Sequence, residues 1–234
     1  MDRPLHSSTA ETQSILLELC NCADATREQA FNDWYTNQRL PDMLSIGVFQ
    51  SATRFVNTDW QPGHPKYLAI YGMDREDVGA DHRALTTLSE GIRKAGSGLL
   101  HEVYKQWFLA RFRRMRQPVT LGNVAPVKTT KSLLVALRDC TDPAREDEYN
   151  DWYFREHAPD TLSSGVYFRA TRYINIDWKP GDPKYLQIYE SDWDDANAAR
   201  EAMGKANAAL RKIGRAHPHP ASRSWFLGKF RKLT

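Results

Sequence analysis

The chain has 234 residues, of which 41% are hydrophobic and 26% are charged, and its formal net charge is +3. This length is sufficient for one or two domains with their own cores, and the nearly balanced charge argues against nucleic acid as a partner. The sequence contains no run of about 18 apolar residues, so we predict no membrane-spanning helix and no membrane partner. Residues 1–13 are polar and lack the apolar core of a secretory signal, which predicts a short disordered arm.

Cysteine and histidine spacing gives little support to a metal site. The three cysteines, Cys20, Cys22 and Cys140, are an odd number in a long chain, which argues against a disulfide framework and favours a cytoplasmic protein. One Cys-x-Cys pair without a second pair is a weak metal motif, and His217 and His219 lack an obvious third ligand. We therefore predict that the protein binds no metal.

Four strand patterns and two helix patterns alternate in the first 115 residues. The predicted strands cover 14–22, 48–59, 66–71 and 103–113, and the predicted helices cover 27–45 and 81–95. The first strand is a compact apolar run, and Asp24 is a suitable N-cap for the helix that follows it. A turn that contains Pro62 and Gly63 joins the second and third strands into a hairpin. The order β-α-β-β-α-β is the ferredoxin-like arrangement.

The same pattern occurs twice, because the sequence repeats itself at one fixed offset. Asn32-Asp33-Trp34-Tyr35 returns as Asn150-Asp151-Trp152-Tyr153, and the offset of 118 residues also relates Trp107 to Trp225. One offset over about a hundred residues indicates duplication of a whole domain. Pro and Gly residues mark the junction between the copies as a linker. We predict a disordered arm over 1–13, repeats over 14–115 and 132–234, and a linker over 116–131.

One ferredoxin-like unit leaves a face of its sheet uncovered, and a second copy on the same chain supplies the cover. The sequence therefore predicts an α+β fold in which two tandem ferredoxin-like βαββαβ repeats form a pseudo-dimeric α+β barrel. Such a molecule is a dimer fused into one chain. Whether this fused pair forms a further homodimer stays open.

The first helix and the hairpin are the most similar parts of the two halves. Between residues 31–71 and 149–189, 24 of the 41 positions are identical. In the second half this block contains Trp152, Tyr153, His157 and Pro159, and it resembles the W-Y-x-x-x-H-x-P helix of the dimeric α+β barrel superfamily, especially its EthD-like members. The resemblance extends over nearly the whole chain, twice. It implies the barrel fold, but that superfamily includes cyclases, monooxygenases, decarboxylases, other lyases and non-catalytic proteins, so the reaction is inferred from the site.

His157 is the main candidate for acid–base chemistry, and it corresponds to Arg39 in the first half. Tyr153 precedes His157 by four residues and is expected on the same helix face. Pro159 predicts that the helix ends near His157, and a helix C-terminus favours the imidazolium and raises its pKa. Such a histidine suits a general acid or base near neutral pH, and a surface capping role is the alternative. Arg39 stays protonated, so we expect the second half to carry the chemistry and Arg39 to bind an anionic group.

Tyrosine and arginine side chains of the hairpin complete the predicted site. Tyr173 is Phe55 in the first half, so the second half has one more hydroxyl to donate to an oxyanion. Tyrosine rings stack on aromatic ligands, although packing between sheets is the alternative. The predicted catalytic residues are His157, Tyr153 and Tyr173, and the predicted substrate-binding residues are Arg39, Arg172, Tyr185, Tyr189 and Trp225.

The sequence contains no G-x-G-x-x-G segment, P-loop or G-x-S-x-G elbow, so we predict that the protein uses no cofactor. These residues and the resemblance predict a cofactor-independent lyase-type enzyme with a small-molecule substrate that is aromatic or polyketide-like. The reaction would be elimination, decarboxylation, retro-aldol cleavage or cyclisation. A cofactor-free monooxygenase of the same fold, and a non-catalytic small-molecule-binding or stress-associated protein, are the alternatives.

Overall fold

Strands and helices alternate along the chain in a computed structural model, which describes residues 12–45, 47–73, 101–121 and 128–233. The chain divides into two compact units. The first comprises the described residues up to Arg54 and those from Gln61 to Arg113, and the second comprises Phe55–Trp60 and the described residues from Arg114 onward. Both units combine helices with antiparallel strands, so the predicted α+β class is confirmed. None of the described helices is long and apolar enough to span a membrane.

The first unit is organised around its first strand. Its elements are β1 (Ser14–Cys22), α1 (Glu28–Trp34), a π-helical turn (Tyr35–Arg39), α2 (Leu40–Ser45), most of β2 (Ser51–Asn57), β3 (Tyr67–Met73) and nearly all of β4 (Tyr104–Arg114). Strand β1 pairs antiparallel with both β3 and β4, so it is an inner strand, and its apolar run is buried. The predicted strand over 14–22 is confirmed. The predicted helix over 81–95 and residues 1–11 of the predicted arm lie outside the described residues.

Asp24 starts the first helical segment as predicted. Its carboxylate accepts a hydrogen bond from the backbone N–H of Thr26 at 2.9 Å, within a short 3-10 turn that leads into α1. The side-chain oxygen thereby satisfies one of the amide groups that a helix N-terminus leaves unpaired. The second unit uses Asp142 in the same way, with a 3.0 Å bond from the N–H of Ala144.

The second unit has a corresponding order of elements. These are β5 (Ser132–Cys140), α3 (Glu146–Trp152), a π-helical turn (Tyr153–His157), α4 (Ala158–Leu162), β6 (Arg169–Asn175), β7 (Tyr185–Ser191), α5 (Ala196–Arg211) and β8 (Ser222–Lys232). Strand β5 is central and pairs antiparallel with β7 and β8, and β6 pairs with β7. Residues Phe55–Asn57 also pair with β8 in this unit.

The helix does not end at His157, so that prediction is wrong. The chain passes through the π-helical turn into α4, and the N–H of Ala158 donates to the carbonyl of Tyr153, five residues back. Pro159 has no N–H to continue the α-helical ladder, and the wider turn carries the helical path across this position. His157 therefore lies inside a helical segment rather than at a C-terminus.

The predicted linker over 116–131 is partly held by the second unit. The N–H of Val119 donates to the carbonyl of Ala170 at 2.8 Å, and the reverse bond is 2.9 Å. The guanidinium of Arg116 lies 3.0 Å from Asp151 and 4.6 Å from the centroid of the Phe154 ring. Residues 122–127 lie outside the described residues. The first part of this segment thus packs along β6 and the helices.

The core below α4 and α5 positions the site described next. Leu134, Leu162 and Met203 are buried there together with Tyr153 and Ala199. Alanines on the inner face of α5 let its backbone approach the sheet closely, and each large buried apolar side chain contributes about 1.5–3 kcal/mol. This packing fixes the strand, the π-helical turn and α5 around a small internal space.

Candidate functional site

A cavity of about 160 Å³ lies in the second unit, among residues of β5, β7, α4 and α5. An internal cavity of about 150 Å³ holds one benzene molecule, so this space has the size of a single aromatic ring. Its apolar lining includes Leu134, Ala136, Met203 and Leu227. The lining residues with polar side-chain atoms are Arg138, His157, Asp160, Thr161, Gln187, Tyr189, Arg200, Asn207 and Arg211.

His157 faces this cavity in its neutral form. Its ring stacks on Trp152, with centroids 4.6 Å apart and planes inclined by 23°, and the Tyr189 ring meets it edge-on at 6.2 Å. Burial, together with the nearby guanidinium groups of Arg138 and Arg172, lowers the pKa of His157 to about 3. The expected pKa near or above 6.5 is therefore wrong, because the histidine is not at a helix C-terminus and cations surround it.

Arginine side chains give the cavity its charge. Arg138 comes from β5 and Arg200 and Arg211 come from α5. Within the described part of the chain, neither Arg138 nor Arg200 forms an ion pair or a side-chain hydrogen bond. Arg211 donates from Nε to the carbonyl of Ala216 at 3.2 Å. Two guanidinium groups are thus available to an anion inside or at the mouth of the cavity.

Asp160 contributes a carboxylate to the cavity lining, and this carboxylate is already paired within the protein. It is 3% exposed, forms an ion pair with Arg215 and accepts a hydrogen bond from the N–H of Ala216 at 2.8 Å. Ala216 has φ +54°, a left-handed conformation that costs free energy for any residue other than glycine. Asp160 therefore anchors the segment after α5 that closes one side of the cavity, and its charge is neutralised by Arg215.

Neutral polar groups complete the lining. The hydroxyl of Tyr189 donates to Oε1 of Gln187 at 3.2 Å, so the predicted binding residue Tyr189 does lie at the cavity. Asn207 donates from Nδ2 to the sulfur of Met203 at 3.5 Å, and its Oδ1 has no hydrogen-bond partner among the described residues. These groups offer hydrogen bonds to a polar substituent next to the apolar walls.

Arg172 lies beside the cavity, in a cage of tyrosine rings. It is 1% exposed, and its guanidinium carbon is 4.2 Å from the ring centroid of Tyr185, 4.4 Å from Tyr153 and 4.7 Å from Tyr149. One of its nitrogens donates to Oδ1 of Asn150 at 2.9 Å. The cage holds the cation by cation–π attraction, and none of these side chains lines the cavity.

The hydroxyl of Tyr185 belongs to the same buried network. It donates to Glu146 at 2.6 Å and accepts from Nδ2 of Asn150 at 3.1 Å. Burial raises the pKa of Tyr153 to about 12, and the Arg172 guanidinium and the Tyr189 hydroxyl act in the opposite direction. Tyr153 contacts His157 with ring centroids 5.8 Å apart, so these two predicted catalytic residues are brought together.

The first unit contains the same cage, which indicates a structural role. The guanidinium of Arg54 donates to Asn32 at 3.0 Å and lies 4.0 Å from the Tyr35 ring centroid and 5.1 Å from that of Tyr67. The Tyr67 hydroxyl donates to Glu28 at 2.7 Å, as Tyr185 does to Glu146. Because this network occurs in both units, we infer that it fixes the helix to the hairpin in each unit.

Three other predicted site residues lie away from the cavity. Tyr173 is fully buried on β6, and strand alternation directs it to the opposite face from Arg172. Trp225 is 41% exposed and donates from Nε1 to Asp139 at 2.8 Å. Arg39 lies in the first unit, 3.8 Å from the fully buried carboxylate of Glu18. The structure therefore does not group these residues with His157.

Sequence reasoning missed Arg138 and Arg200. Arg138 stands near the end of an apolar strand, where a charged residue is unremarkable, and Arg200 belongs to a helix without a motif. The informative signal was the internal repeat. At the offset of 118, Arg138 corresponds to Cys20, and Ala136 corresponds to Glu18, so the second copy gains a cation and lacks a carboxylate on one strand.

Comparisons with known proteins give a fold and a short sequence match. No protein-family model matches the chain. The chain is 41% identical over 64 residues to core atranone cluster protein 1 of Stachybotrys chlorohalonatus, a match that covers 26% of this chain and 26% of that protein. The chain is also similar to solved structures at 9–10% identity, with more than nine tenths of each chain covered. These are a monooxygenase-like protein from Lactobacillus acidophilus (TM-score 0.51), an anthrone oxidase-like protein (0.53) and a dye-decolorizing peroxidase from Bacteroides thetaiotaomicron (0.55).

One structure of similar fold, a Rhodococcus jostii protein, is described in complex with haem. The cavity beside His157 does not fit that group. Its volume of about 160 Å³ is below the roughly 300–1,000 Å³ of pockets that enclose larger ligands. The His157 ring is stacked on Trp152 and the adjacent guanidinium groups disfavour a further cation.

Proposed function

We propose that the second unit is a cofactor-independent acid–base site for a small aromatic or polyketide-like molecule. One observation carries this proposal: a neutral His157 faces a ring-sized cavity that also presents the guanidinium groups of Arg138 and Arg200. A neutral imidazole accepts a proton, and an adjacent guanidinium stabilises negative charge as it develops. His157 is the proposed base, and the two arginines hold the oxygen that becomes anionic.

The first step is the removal of a proton from carbon next to a carbonyl group. The C–H bond breaks, the proton moves to the imidazole nitrogen of His157, and the electron pair delocalises onto the substrate oxygen near Arg138. The free protein disfavours a charged His157 because the ring is buried and because Arg138 and Arg172 lie near it. A bound oxyanion offsets those cations, so we expect the proton affinity of His157 to rise when substrate binds.

The enolate formed in this way then follows one of two courses. Elimination, decarboxylation, retro-aldol cleavage or cyclisation needs no further reactant and is the lyase-type reaction that we propose first. The second candidate is a cofactor-free monooxygenase, in which O₂ oxidises a CH₂ group to C=O and leaves its other oxygen atom as water. The descriptions of two proteins of similar fold, monooxygenase-like and anthrone oxidase-like, favour this candidate. A non-catalytic binding protein is the outcome if no turnover occurs.

The proposal also covers the architecture and location. We infer two tandem ferredoxin-like repeats that form a pseudo-dimeric, EthD-like barrel, supported by the fixed offset of 118 residues and by the repeated Arg–Tyr–Asn cage. The second unit alone carries the proposed site, and pairing of the fused chain into a homodimer is left to measurement. A cytoplasmic location rests on the free cysteines Cys20, Cys22 and Cys140.

A hydrogen-exchange assay tests the first step. Phenylpyruvate and benzoylacetate each combine one ring with an acidic CH₂ group, and NMR in D₂O follows the loss of their methylene protons. We expect the full chain to accelerate exchange and the His157→Asn variant to lose about 100-fold of that acceleration. His64→Asn, which changes an exposed histidine of the first unit, is the control and should exchange at the wild-type rate.

Two results decide between the candidates and the proposal. Product analysis under air and under argon separates the oxygen-dependent reaction from the lyase-type reaction. Equal exchange rates for the wild type and His157→Asn, with both proteins folded, would contradict the assignment of His157 as the base.

A further inference from the structure

The side chains that line the cavity carry more positive charge than negative charge. Arg138 and Arg200 line it without a carboxylate partner among the described residues, and Arg211 stands at its exposed edge. Among the described lining residues the one carboxylate, Asp160, is neutralised by Arg215, and His157 is uncharged. Guanidinium groups that converge without a paired carboxylate favour a ligand that brings a negative charge.

In the first unit, the strand position equivalent to one cavity-lining residue carries a carboxylate of the protein itself. Glu18 of β1 stands opposite Ala69 of β3, as Ala136 of β5 stands opposite Gln187 of β7. Glu18 is fully buried and lies 3.8 Å from Arg39, the residue equivalent to His157. In the second unit the equivalent residue is Ala136, and its methyl group lines the cavity where the first unit has a carboxylate. The carboxylate that neutralises the first unit therefore has no counterpart in the second.

The size and walls of the cavity limit what else the ligand contains. A volume of about 160 Å³ matches one six-membered ring, and the side chains of Leu134, Met203 and Leu227 form apolar walls. The Tyr189 and His157 rings add aromatic faces and edges against which a flat ring packs. A fused three-ring system exceeds this space.

We propose that the cavity binds a carboxylate attached to a single aromatic ring, with the carboxylate at the position that Glu18 takes in the first unit. Arg138 and Arg200 pair with the carboxylate, and the ring lies between the apolar walls and Tyr189. This inference deepens the proposed function, on which it rests, by naming the substrate class of the same site.

Calorimetric titration with benzoate and its neutral isostere benzamide tests the inference on the full chain. We expect benzoate to bind at least tenfold more tightly than benzamide, because only benzoate pairs with the guanidinium groups. Ala136→Glu places a carboxylate at the position proposed for the carboxylate of the ligand and should weaken benzoate binding at least tenfold. Ala136→Gln fills the same position without charge and should weaken benzoate binding as well, so Arg138→Gln tests the charge itself, and the exposed-residue variant His64→Gln is the control that should bind benzoate as the wild type does.

A second variant keeps the test decisive if Ala136→Glu does not fold. Arg138→Gln should also lose at least tenfold in benzoate affinity and leave benzamide affinity unchanged. Equal affinities of the wild type for benzoate and benzamide, absence of benzoate binding, or an unchanged benzoate affinity in Arg138→Gln would overturn the inference.

The same measurements separate this inference from the proposed function. The preference of the wild type for benzoate tests the inference, and the loss of proton exchange in His157→Asn tests the proposed function. Selective benzoate binding without any exchange supports the inference and contradicts the acid–base function. Exchange that depends on His157 but shows no preference for benzoate contradicts the inference alone.

Discussion

The two units share a buried framework and differ at the residues around the second unit's cavity. In both, an arginine in an aromatic cage ties the helix to the hairpin through an asparagine. Four other equivalent positions differ in chemistry. The pairs, with the first unit's residue named first, are Glu18 and Ala136, Cys20 and Arg138, Arg39 and His157, and Ala69 and Gln187.

Because of these differences, the first unit contains a buried ion pair where the second unit has a cavity lined by arginines. In the first unit the carboxylate of Glu18 faces the guanidinium of Arg39. In the second, a neutral imidazole faces Arg138, and the carboxylate is missing. The comparison predicts that equivalent substitutions have different consequences in the two units.

The largest expected difference comes from the pair Arg39 and His157. Arg39→Met leaves the fully buried Glu18 carboxylate without its cation, which should lower the free energy of unfolding by about 3 kcal/mol. His157→Met removes a neutral ring and should cost less than about 1.5 kcal/mol. Urea unfolding of both variants measures the difference, and equal losses would contradict the claim that Glu18 and Arg39 neutralise each other.

The shared cage should respond equally in both units. Asn150→Leu removes a hydrogen bond to Arg172 and one to Tyr185, and Asn32→Leu removes the equivalent bonds to Arg54 and Tyr67. Each substitution should lower the free energy of unfolding by about 2 kcal/mol, because one lost partner is a buried charged group. Thermal and urea unfolding provide the measurement, and a clearly unequal pair of values would show that the cage is not conserved between the units.

Between pH 7 and pH 5 the second unit should lose stability through His157. The folded protein keeps His157 neutral, whereas the unfolded chain protonates it near its ordinary pKa of about 6.5. Stability is therefore lost as the pH falls from about 6.5 toward the lowered folded pKa of about 3, because the unfolded chain binds the extra proton. Unfolding of wild type and His157→Gln between pH 7 and pH 5 measures this contribution. A wild-type slope that persists in the variant would assign it to other groups.

The smallest expected effect concerns the segment that closes the cavity. Ala216 has φ +54°, and its equivalent in the first half of the sequence is Gly98. Ala216→Gly should stabilise the protein by about 0.5–1 kcal/mol, because glycine adopts this conformation without a steric cost. A shift of the unfolding midpoint to higher urea checks this. A destabilised variant would show that the Ala216 methyl group contributes packing that outweighs the strain.

Much of the framework could be predicted from sequence because it depends on local patterns. The apolar run of β1 and the Asp24 cap produced the observed strand and helix start, since burial and capping act over a few residues. The passage of the helix through Pro159 could not be predicted in this way. Its π-helical turn depends on a hydrogen bond between residues five positions apart, and such a bond does not change the spacing of apolar residues in the sequence.

The candidate site was less predictable because its residues meet only in three dimensions. His157 and Tyr189 were found from the helix motif and the tyrosine strand, and both line the cavity. Arg138 and Arg200 come from separate elements, and only the packing of α5 over β5 brings their side chains to one space. Tyr173 was selected for its hydroxyl, although strand alternation already directs it away from the Arg172 face.

The most direct test of the account is the titration of His157 itself, with and without benzoate. NMR of the full chain with isotope-labelled histidine follows the imidazole, and the His157→Asn spectrum assigns its signal. The account predicts that His157 stays neutral down to below about pH 5 in the free protein, and that saturating benzoate raises its pKa by offsetting Arg138. A midpoint near pH 6.5 that benzoate does not move would contradict the claim that the second unit holds a neutral base within an open cationic site.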